Sequence, residues 1–142
     1  MNPYADTSFL VSLYVLDANS AQAAARMSRA TLPVLITTFG ELELVNAISL
    51  RVFRKELAAH QAKAARSLIA ADLQQGVLDM KPLPPAVFER AKQVSRRRTP
   101  RLGTRTLDVL HVAIASLLQV KIFYTFDRNH AKLAGAEGLS VL

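Results

Sequence analysis

The sequence predicts an α/β domain in which a parallel sheet is covered by helices on both faces. Two observations lead there. Short runs rich in β-branched or aromatic residues alternate with longer segments of helical periodicity. No internal repeat, low-complexity tract or Gly/Ser-rich linker interrupts that alternation, and 142 residues match the usual size of one domain, so residues 1–142 are read as a single unit. Strands separated by helices imply a parallel sheet with both faces covered.

Taken in order, the strand candidates are Pro3 to Ala5, Val34 to Thr37, Val77 to Met80 and Lys121 to Phe126. The helical patterns run from Thr7 to Val15, Ser20 to Arg29, Phe39 to Phe53, Leu57 to Gln75, Pro85 to Arg97 and Thr106 to Leu118, with a short last one from Asn129 to Ala134. The Ala-rich "LAAHQAKAARSLIAADLQQG" is the firmest of these, because its helix propensity is high throughout and its apolar residues recur every three or four positions. Gly76 and Gly135 are placed to cap helix C-termini.

Composition bounds the function. Hydrophobic residues make up 51% and charged residues 20%, which excludes a disordered chain. No apolar run reaches the ~18 residues of a membrane span. There is no basic segment leading into an apolar stretch and a small-residue cleavage site, and the absence of cysteine excludes disulfides and thiolate metal sites. The expectation is a cytoplasmic protein. A net charge of +7 suits a polyanionic partner. Neither a helix-turn-helix nor a zinc-finger pattern is present to make that partner DNA.

Parallel sheets place ligands beyond the carboxyl ends of their strands, where strand order reverses, so the acids at those ends carry the functional argument. Asp6 follows the first strand in "YADTSF" and starts a helix; Asp127 holds the equivalent position after "KIFYTF". Asp108 lies in the first turn of the apolar "TLDVLHVAIASLL", and Glu41 and Glu43 in the first turns of "TFGELELVNAISL". Singly, capping is the better reading for Asp6, Asp108 and Asp127, since a carboxylate at a helix N-terminus gains about 0.3–1 kcal/mol from the dipole. Collected in one pocket they would repel one another unless a cation intervened, and oxygen-only ligands suit Mg²⁺ or Mn²⁺. Glu41 and Glu43 are separated by roughly 200° around a helix, so only one of them can face such a pocket.

Positive charge is concentrated just before Asp108. From Arg90 to Arg105 there are seven Lys or Arg and no acid, including Arg96, Arg97, Arg98, Arg101 and Arg105. Each singly fits a solvated helix end, but the cluster favours tracking of a phosphate backbone. Of the histidines, His111 is expected to be a hydrogen-bonded packing residue, His130 to touch phosphate beside Arg128, and His60 to lie on the surface.

"YADTSFLVSLY", "ELELVNAI", "TLDVLHVAIA" and "YTFDRNHAKLAGAEGL", in that order and over almost the whole chain, resemble the PIN domain, in particular the VapC-type toxin ribonucleases. That resemblance implies a three-layer α/β/α sandwich with a central parallel sheet and the activity of a metal-dependent endoribonuclease. It also implies Asp6 and Asp108 as principal Mg²⁺ ligands, with Mn²⁺ an alternative ion. Glu43 would be the helix-borne acid, chosen over Glu41 because Asn46 and Ala47 follow it, and Asp127 the fourth, with Thr125 as a polar accessory. The partners it implies are an RNA substrate, a small antitoxin and a second copy of the chain. An antitoxin could insert an Arg among the acids and lie along the segments Val11 to Tyr14 and Leu50 to Phe53. The alternatives are a catalytically silent PIN-like module that binds RNA or serves assembly, and a PIN nuclease that is not a toxin.

Overall fold

The computed structural model describes residues 1–142 throughout. Five strands, β1 (Tyr4–Ala5), β2 (Val34–Thr37), β3 (Leu78–Lys81), β4 (Ile122–Tyr124) and β5 (Ser140–Val141), form one sheet in the order β3-β2-β1-β4-β5. Every pairing is parallel, with Tyr4 opposite both Leu35 and Phe123. Seven helices connect them: α1 (Thr7–Tyr14), α2 (Ser20–Arg29), α3 (Thr38–Phe53), α4 (Ala59–Gln74), α5 (Val87–Leu102), α6 (Thr106–Leu117) and α7 (Arg128–Ala136).

Strand alternation divides the core in two. Ala5, Val34, Ile36 and Tyr124 face one side, where they pack with Phe9 and Leu10 of α1, Leu44 and Ile48 of α3, and Ile69 of α4. Tyr4 and Phe123 face the other, against Val94 of α5, the apolar run Val109 to Ala115 of α6, and Leu133 of α7. The result is the three-layer α/β/α sandwich. Each fully buried Phe or Leu contributes about 1.5–3 kcal/mol, so both layers are held firmly to the sheet. No helix is long and apolar enough to cross a membrane.

Several boundaries depart from the sequence reading. β4 ends at Tyr124 rather than Phe126. β5 has no counterpart in the sequence pattern, because two residues on a sheet edge are too few to show a period. α5 continues past Arg97 and through Pro100 to Leu102, and ends where Gly103 turns left-handed at φ 62° and donates its N–H to Thr99 O. Gly76 does follow α4 with φ 77°, but Gly135 lies inside α7, and the left-handed residue after that helix is Gly138 at φ 85°.

Three strand ends lead directly into capped helices. Asp6 accepts the N–H of Phe9 at 3.0 Å, Thr37 that of Gly40 at 3.1 Å, and Asp127 those of Asn129 and His130 at 2.8 and 3.0 Å. These caps fix the direction in which α1, α3 and α7 leave the sheet, and so where their side chains converge.

Candidate active site

Strand order reverses between β1 and β4, since the chain leaves β1 toward β2 on one side and returns as β4 on the other. Beyond the carboxyl ends of those strands lies a cavity of about 440 Å³. Glu43, Asp108, Asp127, His111 and His130 border it, and Arg105 stands at its rim. Glu43 reaches it from α3, whereas Glu41 does not border it.

Each inner acid is met by a histidine. His130 lies between two carboxylates, its Nδ1 hydrogen-bonded to Asp6 Oδ2 and its Nε2 2.5 Å from Asp108 Oδ1. His111 bonds through Nε2 to Glu43 Oε1 and through Nδ1, at 2.6 Å, to the Tyr4 hydroxyl. Burial pushes the Tyr4 phenol far above its ordinary value, so it keeps its proton. His111 thus bridges the Tyr4 hydroxyl and the Glu43 carboxylate.

The charges follow from these contacts. Burial works to neutralise Asp6, but the hydrogen bond and charge of His130, with the hydroxyls of Thr125 and Ser8, hold its carboxyl below the usual range. Burial likewise opposes a charge on His130, yet Asp6 and then Asp108 raise it to about 9. Glu43 is half-buried, which works against its charge; the hydrogen bond from His111 and that from Thr7, 2.7 Å away, keep it ionised more readily than usual. Asp6 thus faces a cation, the imidazolium of His130.

The oxygens divide into engaged and available ones. Asp6 is fully buried and does not border the cavity. Its Oδ1 accepts from Phe9 N and Ser8 Oγ, and its Oδ2 faces His130. Both bonds to Glu43 end on Oε1, leaving Oε2 for the cavity. Asp127 takes its two capping N–H groups on Oδ1, and its Oδ2 is 4.0 Å from the Arg105 guanidinium.

The family model for the PIN domain matches residues 4–136. The chain belongs to the PIN domain family. Among solved structures this PIN domain is similar to VapC20 of Mycobacterium tuberculosis, a sarcin–ricin-loop-cleaving toxin, at 20% identity and TM-score 0.70 over 92% of this chain and 94% of that one. It is also similar to FitAcB from Neisseria gonorrhoeae, at 16% identity and TM-score 0.68 over 99% and 96% of the two chains. At those identities the likeness is one of fold. No curated protein sequence matches it.

The basic stretch of this PIN domain is split by the fold. Arg97 and Arg98 both bind Glu137 at the end of α7, with Arg98 Nε 2.7 Å from Oε2, and the pair holds the Glu137 carboxyl below its usual range against the opposing effect of partial burial. Arg96 and Arg101 are exposed on α5, and Arg105 alone of the stretch reaches the cavity, 3.8 Å from Asp108. A second cavity shares Thr7, Ser8 and Asp127 with the first and holds Arg51 and Arg54, which sequence reasoning passes over.

His130 is the principal correction. The sequence reading has it touch phosphate beside Arg128, whereas in the fold it is buried between Asp6 and Asp108. The signal available in sequence is its spacing, three residues after an acid at a strand end. His111 is buried and hydrogen-bonded as expected, and it also lines the cavity. His60 is exposed.

Proposed function

We propose that this PIN domain is a metal-dependent endoribonuclease, the toxin of a toxin–antitoxin pair, acting in the cytoplasm. The observation that carries the reading is the convergence of Glu43, Asp108 and Asp127 on one cavity at the strand-order reversal, beside Arg105.

The residues fit a hard divalent cation, Mg²⁺ or Mn²⁺, in kind. Three carboxylates border the cavity, and two of them keep an oxygen free of hydrogen-bonding partners. As they stand, no three His, Asp or Glu side chains are gathered closely enough to hold an ion, because the two imidazoles are interposed among them. Asp108, Glu43 and Asp127 would hold the cation, with Asp6 acting on the same charge from behind His130. Such an ion, when bound, lowers the pKa of a water and polarises a phosphoryl oxygen.

The chain's own groups supply the rest. Arg105, whose side chain is 74% exposed, can meet a phosphate at the rim. Glu43 presents Oε2 to the cavity as an ionised carboxylate, while His111, bonded to Tyr4, holds its other oxygen in place. The Thr7 and Ser8 hydroxyls line the same wall. Asp127 is fixed by its own helix, so its free oxygen keeps one direction.

The likeness to VapC20, itself a toxin, supports the toxin reading. A small antitoxin would lie in the second cavity, where Val11 and Leu50 form part of the wall beside Arg51 and Arg54, and would reach the carboxylates past Thr7 and Ser8. A second copy of the chain would complete the assembly as a homodimer. Expressed alone, the chain is expected to arrest bacterial growth, Asp108→Asn to lift the arrest, and the neighbouring small open reading frame to restore growth and co-purify. Normal growth at high levels of folded wild type would instead favour the silent module or a PIN nuclease that is not a toxin.

A further inference from the structure

A further cavity, of about 510 Å³, opens between α5 and α6, within the ~300–1,000 Å³ of small-ligand pockets. Thr106, the first residue of α6, borders both this cavity and the one bordered by Glu43, Asp108 and Asp127. From Thr106 the wall continues to Val109 and Leu110, three and four positions on and so on the same face of α6, up to about 6 Å farther along its axis. The two cavities are neighbours along one helix.

The lining is of three kinds. Ala91 of α5 joins Val109 and Leu110 as an apolar wall, to which Phe88 adds a phenyl ring that is 63% exposed. Ser95, Thr99 and Thr104 supply hydroxyls. Thr99 and Thr104 share one hydrogen bond of 2.8 Å, which uses only one of their two hydrogens and leaves the other to donate. Lys92 supplies a charge. Its ion pair with Glu89, one turn away on α5, has both side chains more than half exposed, so giving it up costs little.

An apolar aromatic surface ringed by hydroxyls and a cation matches a nucleobase and its phosphate: a π-face for Phe88, a polar edge for the hydroxyls and an anion for Lys92. An acidic apolar peptide would also meet Lys92 and the apolar wall. The join at Thr106, next to the rim residue Arg105, favours the nucleic acid, because a strand with one phosphate in the first cavity carries its neighbouring nucleotide to the second.

We propose that the cavity between α5 and α6 is a nucleoside subsite, where a base next to the cleaved phosphate stacks on Phe88 while its own phosphate meets Lys92. This rests on the ribonuclease reading above and deepens it, since the RNA taken is then a single strand, loop or end with a base free to leave its stack.

The test is binding of a single-stranded RNA pentamer to the full chain, read by fluorescence anisotropy in EDTA so that no cation is required. Phe88→Ala should weaken binding by about 5–150-fold, the range for one lost base–aromatic stack, without altering the salt slope. Phe88→Leu, which keeps an apolar side chain without the ring, guards against misfolding and should show a loss in the same range. Lys92→Ala should lower the salt slope by roughly 0.7. With pentamers that each lack one base, Phe88→Ala should cost nothing when one particular base is absent and keep its cost for the others. Unchanged affinity in folded Phe88→Ala and Phe88→Leu, with Arg105→Ala still weakening RNA, would overturn the subsite and leave the ribonuclease reading intact. So would RNA binding that is unchanged in these variants while a small partner protein no longer co-purifies, which would give the groove to a peptide. Folded wild type that binds no RNA would overturn both.

Discussion

Replacing His130 by Gln should change how the metal-free protein's stability depends on pH. Raising His130 from 6.5 to about 9 corresponds to about 3 kcal/mol of folding stability, since each decade of proton affinity is worth about 1.4 kcal/mol. The group's affinity for its proton is higher folded than unfolded, so this stability is fully present below pH 6.5 and is lost as pH rises through about 9. Asp6 has the opposite sign. Its carboxyl is held low in the fold, so its contribution is present above its ordinary value of 3.8 and disappears in acid. The clamp is therefore strongest in weakly acidic solution. Urea unfolding in the presence of EDTA, repeated across pH for wild type and His130→Gln, should show a wild-type advantage that is largest, by about 3 kcal/mol, between about pH 3.8 and 6.5 and that shrinks as pH rises through about 9. A difference that stays constant with pH would show that the ring contributes packing and not charge.

Arg97→Ala with Arg98→Ala should lower the melting temperature, because Glu137, with a side chain only 10% exposed, loses both partners, and should leave the salt dependence of RNA binding unchanged. Arg105→Ala should do the reverse: the salt slope should fall by roughly 0.7, the share of one single-strand phosphate, with the fold no less stable. Gly103→Ala has no steric obstacle but puts a side chain at φ 62°, and should cost about 1 kcal/mol in chemical denaturation. Tyr14→Phe removes a 2.5 Å bond from the Tyr14 hydroxyl to Asp72 and should cost about 1–2 kcal/mol by the same measurement.

The layered fold is legible because its long elements carry strong periods: the Ala-rich α4 and the apolar α6 are found where their patterns place them. β5 is not, since an edge strand of two residues takes its conformation from β4 through the Ile122–Ser140 register. The end of α5 lies beyond the boundary read at Arg97, because the helix runs through Pro100 until the left-handed Gly103 supplies the stop. At the site, Asp6 and Asp127 are legible because a strand end leading into a helix start is written locally in sequence. The partnerships are not. His130 meets Asp6 across 124 positions and His111 meets Glu43 across 68, and such pairings are set by how α6 and α7 dock on the sheet. The acid that binds Arg97 and Arg98 is hidden for the same reason, since it lies 40 and 39 positions away.

Whether the carboxylates around this cavity cleave RNA with a bound cation is tested by incubating the purified chain with single-stranded RNA in Mn²⁺, in Mg²⁺ and in EDTA, alongside Asp108→Asn and Glu41→Gln. Cleavage is expected with either ion and none in EDTA, with Asp108→Asn folded but inactive and Glu41→Gln, whose side chain does not border the cavity, at wild-type rates. Cleavage that persists in EDTA or in folded Asp108→Asn would refute that chemistry.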